Sequence, residues 1–156
     1  MGAWFRWLRD LWLGRRMLGM TTERATAVLT AATVPLFTVA GGRIKITQII
    51  GEITTVMEAL ISNVSLSATP TTGTARAMCA TTDIQSYAAG DILGITGINT
   101  DALLPPASAG VIEAQTTGVI VQEGVINVIS DAAPTGSIRW TLKWIPIDEG
   151  AAVIAA

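Results

Sequence analysis

Histidine is absent from the 156 residues, and cysteine and tyrosine occur once each, as Cys79 and Tyr87. A single cysteine excludes a disulfide framework within the chain. The familiar zinc sites need several Cys or His ligands, which are missing. No imidazole exists to activate a serine or thiol nucleophile, so Cys79, set in Ala77-Met78-Cys79-Ala80, is expected to be a small buried hydrophobe. Charge is sparse as well, at 14% of residues, and no dense Lys/Arg run offers a phosphate track, so nucleic acid is not an expected partner. No apolar window approaches the roughly 18 residues of a membrane-spanning helix. The first thirteen residues are broken by Arg6, Arg9 and Asp10, which denies them the apolar stretch of a secretory signal.

What is present is apolar: half of the residues are hydrophobic, which excludes a chain disordered throughout. A chain of this length supports one domain, or one domain with an arm. Net charge is −2, but its distribution is uneven. Residues 1–24 carry five arginines against Asp10 and Glu23, and the remainder carries five basic and ten acidic residues. A basic arm on an acidic body implies that the two meet different partners. Free monomers usually cover more of their surface with charge; here Thr, Ser, Ala and Gly take that place. That fits an extracellular or virion protein, or a subunit covered by copies of itself or by another protein.

Residues 1–19 form the expected arm, with an amphipathic helix centred on 3–13. At about 100° per residue, Trp4, Trp7, Leu8, Leu11 and Trp12 share one broad face, with Arg6, Arg9 and Arg16 opposite. Three tryptophans within nine residues, of five in the chain, point to anchors. The stripe suits packing on its own domain, lying on a membrane surface, or docking in a partner's groove; the last is favoured and membrane contact is not expected. The partner-binding candidates are therefore Trp4, Trp7, Leu8, Leu11, Trp12, Arg6, Arg9 and Arg16. Residues 20–35, rich in Thr and Ala with no clean period, are expected to be an extended linker into a first strand.

From residue 36 to 156 the chain predicts about eight or nine short strands. Arg43 to Ile49 alternates isoleucine with polar residues, and Gly51 marks a bend or bulge. Further strands are expected within 53–66, at Thr74–Ala80, Asp91–Gly97, Val111–Thr116, Val119–Val121 and Val125–Ser130. The clearest is Ile138 to Ile145, where Ile138, Trp140, Leu142 and Trp144 share a face opposite Arg139, Thr141 and Lys143. Turn signals every 8–14 residues, without helical patterns between them, predict an all-β antiparallel sandwich or jelly roll.

Little in the chain points to catalysis. The acids are nearly all single, Asp148-Glu149 being the one adjacent pair, while a glycosidase needs two carboxylates across a cleft. Asp83, Asp91 and Asp101 are expected to be turn acids, and the loops at Gly90-Asp91 and Asn99-Thr100-Asp101 lack the spacing of a calcium loop. No enzyme, metal or cofactor is expected. Trp140 and Trp144 suit a core better than a sugar platform.

The stretch Gly136-Ser137-Ile138-Arg139-Trp140-Thr141-Leu142-Lys143-Trp144-Ile145-Pro146-Ile147-Asp148-Glu149-Gly150-Ala151 resembles the C-terminal part of small structural proteins of tailed bacteriophages. Leu36 to Ile46, with Gly41-Gly42-Arg43, and Ile50 to Thr55 look like the first hairpin of the same group. The resemblance spans about residues 36–151. It implies a capsid decoration (cement) protein on the virion surface, a trimeric β-sandwich bound to the major capsid protein, with no catalytic residues. The Trp-rich arm departs from that core. The alternative is a tail or fibre module that binds host glycan, which requires Trp140 and Trp144 to be exposed.

Overall fold

The computed structural model describes residues 18–156, together with Gly14. The arm candidates Trp4, Trp7, Leu8, Leu11, Trp12, Arg6, Arg9 and Arg16, and the helix expected over 3–13, lie outside the described residues. Among the described residues the protein is all-β, with two antiparallel sheets in a sandwich-like arrangement.

One sheet comprises β1 (Met20–Val28), β10 (Ser137–Pro146), β3 (Ile44–Thr55) and β7 (Ile92–Gly94) in that order, with β8 (Val119–Val121) also paired to β3. The other comprises β11 (Ala152–Ala155), β2 (Thr33–Ala40), β9 (Gly124–Ser130), β4 (Asn63–Pro70) and β5 (Arg76–Ala77), with β6 (Thr82–Asp83) also paired to β4. We refer to these as the first and second sheet. β1 to β4 alternate between them, as do β9 to β11, so every long strand is hydrogen-bonded to strands distant in sequence.

One core lies between the sheets. The inward positions of β10 are Ile138, Trp140, Leu142 and Trp144, all almost fully buried, and they meet Ile44, Ile46, Ile49 and Ile53 of β3. The second sheet supplies Leu36, Phe37, Val39, Val64, Leu66, Ile126 and Val128. Alternation is the cause: a strand with one buried face must place every second side chain inward.

Several expectations need correction. Residues 20–35 are not a linker: Met20–Val28 is the edge strand β1, in register with β10 from Met20 opposite Trp144 to Val28 opposite Ser137. Its Thr and Ala side chains are too small to show a period, and the pairing is specified by β10. Thr22 completes it, since the Trp144 indole N–H donates to Thr22 Oγ1 at 3.0 Å. Val111–Thr116 forms no strand; Val111 is exposed and Ile112 instead covers Gly94. The strand expected over Thr74–Ala80 shortens to Arg76–Ala77.

Gly51 sits inside β3 directly opposite Trp140 rather than at a bend. A Cβ added there would lie 2.8–3.0 Å from three atoms of the indole ring. The glycine thus makes room for the largest core side chain, and the register breaks of this pair fall at Ser137/Ile138 and Lys143/Trp144 instead. Gly51→Ala is expected to cost about 1–3 kcal/mol by overpacking, read as a lower urea midpoint at unchanged m-value. Gly51→Ala combined with Trp140→Phe should recover part of the loss.

Candidate interaction surfaces

The outer faces of the two sheets differ in charge, and the difference is written into the strands. β2, β4, β9 and β11 contain no ionisable side chain. β1, β3 and β10 carry Glu23, Arg24, Lys45, Glu52, Arg139 and Lys143. On the first sheet Arg139 sits between Glu52, which it contacts through one guanidinium nitrogen, and Glu23 at 3.7 Å. Those acids, Glu52 foremost, raise the guanidinium pKa above its ordinary value. This face is ionised, with Glu23, Arg139 and Glu52 paired on it.

The second sheet's outer face is built from short uncharged side chains. One cross-strand row runs Ile154, Thr38, Val125, Thr69, and the next Pro35, Asn127, Ser67, Ala77. A third runs Thr33, Ile129, Ser65. Ile154 and Ile129 are exposed, whereas Ser65, Ser67 and Asn127 are buried within the face, Asn127 bonded to Thr69 Oγ1 at 3.1 Å. Dehydrating such a surface strands no charge, which is what a buried contact requires. Arg76 stands at its margin and donates to Asn99 Oδ1 at 3.1 Å. Beside it a cleft of about 450 Å³ opens between the edges of the two sheets, floored by Met78, Val119 and Val121.

The two stretches that carried the phage resemblance meet in space. Arg43, after the Gly41-Gly42 turn, donates from Nε and its terminal nitrogen to both carboxylate oxygens of Asp148, at 2.8 and 2.7 Å, and from its backbone N–H at 2.8 Å. The carboxylate raises the Arg43 pKa further. Gly41 has φ +72°, and a Cβ there would lie 2.4 Å from the Gly150 carbonyl oxygen; at Gly42 it would lie 2.7 Å from Asp148 Cβ. The β2–β3 and β10–β11 turns therefore form one clasp, in which glycine permits the approach and a bidentate ion pair fixes it.

The remaining acids serve their own loops. Asp91 accepts from the Ala88 N–H and, closely, from Ser108 Oγ; Asp101 accepts from Thr96 Oγ1 at 2.7 Å; Asp83 accepts from the N–H groups of Ser62 and Gln85. Among the described residues no group of three or more potential ligands is placed to hold a metal ion, and no helix is long and apolar enough to cross a membrane. Burial pushes the Tyr87 phenol pKa up, helped by Asp91 and then Asp83, and its hydroxyl donates to the Pro105 carbonyl at 2.7 Å. Cys79 is buried with its thiol pKa raised by desolvation. Trp140 and Trp144 are core residues, so neither presents the exposed ring face that the glycan-binding alternative requires. The uncharged sheet face was missed in the sequence, although four strands without a single ionisable residue are a legible signal.

No family model matches the chain, and no curated protein matches it. Among solved structures, one from the infectious bursal disease virus Gx strain aligns over 86% of this chain and 33% of its own, at 12% identity and a TM-score of 0.18. At that score the likeness bears on neither fold nor role. The chain spans about a third of the length of that neighbour.

Asp131 gives a pH test of the loop geometry. The Asn63 side-chain amide donates to it at 2.6 Å and the Asn63 N–H at 2.8 Å, and these bonds hold its pKa below the usual carboxylate range. A depressed carboxylate adds stability that is present above its unfolded pKa and lost as pH falls through the folded one. In Asn63→Ala the Asp131 titration midpoint, followed by carbon NMR, is expected to rise part of the way to the ordinary value. An unchanged midpoint would assign the shift to something other than this amide.

Proposed function

We propose that the protein is a virion structural subunit of the decoration (cement) type, which binds the major capsid protein on the capsid surface and reinforces the shell there, assembling on it as a homo-oligomer, a trimer by the resemblance. The observation that carries this reading is the outer face of β11, β2, β9 and β4, four strands without an ionisable side chain and with Arg76 and Asp83 only at their margin, beside a first sheet whose outer face is ionised. One side is suited to being covered and the other to facing water.

The strand order supports it. The sequence 1-10-3-7 and 8 in one sheet against 2-9-4-5 and 6 in the other is the double Greek-key winding of a jelly roll, with β11 added at one edge. That winding serves shell subunits and lectins alike, so the choice between them comes from surface chemistry. Buried Trp140 and Trp144 weigh against the glycan reading. In this reading the arm, through Trp4, Trp7, Leu8, Leu11 and Trp12, adds anchorage to whatever the body touches, and many weak contacts sum over the lattice.

Mixing the purified protein with undecorated tailed-phage capsids of its source and imaging by electron cryo-microscopy tests the proposal. Extra density at regular positions on the outer shell is expected, together with a raised disruption temperature of the capsid. Bare shells at saturating protein would overturn it, and binding confined to tails would favour the fibre reading.

A further inference from the structure

The end of the body farthest from Met20 is formed by four loops: 29–32, 56–62, 84–91 and 131–136. They are bound to one another. Ser62 N–H donates to Asp83 and Asn63 N–H to Asp131, each at 2.8 Å, and the Ser86 N–H donates to the Glu58 carbonyl at 3.2 Å. This end exposes Val28, Val56, Leu60 and Ile61, at 56%, 55%, 42% and 63% of their surface. Across these loops and the residues flanking them there is no lysine or arginine, while Glu58, Asp83 and Asp131 reach the surface and Asp91 is buried. It is an apolar patch fringed with negative charge and without a cation of its own.

The chain contains a segment of complementary composition. Residues 1–17 carry four arginines against Asp10, and on the helix the sequence predicts Trp4, Trp7, Leu8, Leu11 and Trp12 would fall opposite Arg6 and Arg9. We infer that the acidic loop end of one copy is the receptor for the arm of a neighbouring copy. The inference rests on the partner-docking reading of the arm and names its partner as a second copy of this chain.

Reach favours a neighbour over the arm's own body. The arm joins β1 at Met20, and the nine residues of that strand rise about 30 Å before the patch is met. A helix over residues 3–18, as the sequence predicts, would span about 24 Å, so an arm folded back would have Leu8, Leu11 and Trp12 alongside β1 rather than at the loops. A second copy has no such restriction. Arm-to-end contact is heterologous, so it propagates head to tail and closes only if the rotation between copies permits. Opposite charges set its register and its salt dependence, while the indoles and the Val, Leu and Ile side chains supply the buried area.

Two full-length variants, each with one half of the contact disabled, test this in solution without capsids. Arg6→Glu/Arg9→Glu keeps the loop end, and Leu60→Lys/Ile61→Lys keeps the arm; circular dichroism checks that both fold. In sedimentation velocity at low salt the unmodified protein is expected to associate, and each variant alone to remain at the 16.3 kDa monomer mass. Mixed, the two variants should form a dimer of twice that mass and go no further, because only one productive contact remains. Association unaffected by either variant, an unmodified protein that is monomeric, or a mixture that stays monomeric would each overturn the inference. Capsid binding is measured separately, so failure here leaves the decoration reading standing, and a capsid that stays bare leaves self-association standing.

Discussion

The structure depends on the burial of one face of β10. Ile138, Trp140, Leu142 and Trp144 enter the core from a strand that has β1 on one side and β3 on the other. Each fully buried indole removes roughly 150–250 Å² from water, or about 4–6 kcal/mol of gross transfer free energy before side-chain entropy is subtracted. Other features accommodate these rings. Gly51 lies opposite Trp140, where any Cβ would press on the indole ring, and Thr22 accepts the Trp144 N–H so that no buried donor is stranded. The edge strand β1, with little periodicity of its own, takes its register from the same strand.

The same low charge that makes the core easy to fill makes the exterior hard to leave bare. One side keeps its charges exposed to water, with Arg139 held between Glu23 and Glu52. On the other side it offers Thr and Pro with Ile129, Val125 and Ile154 among them, and no charge at all along four strands. An exposed surface of that kind dissolves adequately as a free molecule, yet loses little hydration free energy when another surface covers it. Exposed Val28, Val56, Leu60 and Ile61 at the acidic end repeat the theme with more apolar area and a defined electrostatic sign. The decoration reading and the arm-receptor inference both follow from where the chain does and does not place its few charges.

Much of the fold was legible in the sequence wherever alternation was strong. β10 and the first half of β3 announce themselves because large apolar residues alternate with Arg, Lys and Thr. The turns at Gly41-Gly42, Pro70 to Gly73 and Pro146 to Gly150 are legible because their residue types fix the backbone. β1 was not, because an edge strand of Thr and Ala is specified by its neighbour and not by its own side chains. Val111 to Thr116 misled in the opposite direction: its apolar residues serve single contacts, such as Ile112 over Gly94, without ladder partners. Gly51 was recognised as special for the wrong reason, since one sequence cannot distinguish a glycine that bends a strand from one that yields space. Arg43 and Asp148 stand far apart in the chain, and only the folded turns reveal that the two halves of the phage-like pattern are one clasp. The arm candidates lie outside the described residues, so their placement remains the sequence's alone.

Hydroxyl-radical footprinting of the protein free at low concentration and in its assembled form tests the central claim most directly. The account predicts that Val125, Ile129 and Ile154 of the second sheet lose most of their oxidation on assembly, while Ile50 and Thr141 on the ionised face keep theirs. Equal oxidation of the uncharged face in both forms would contradict it.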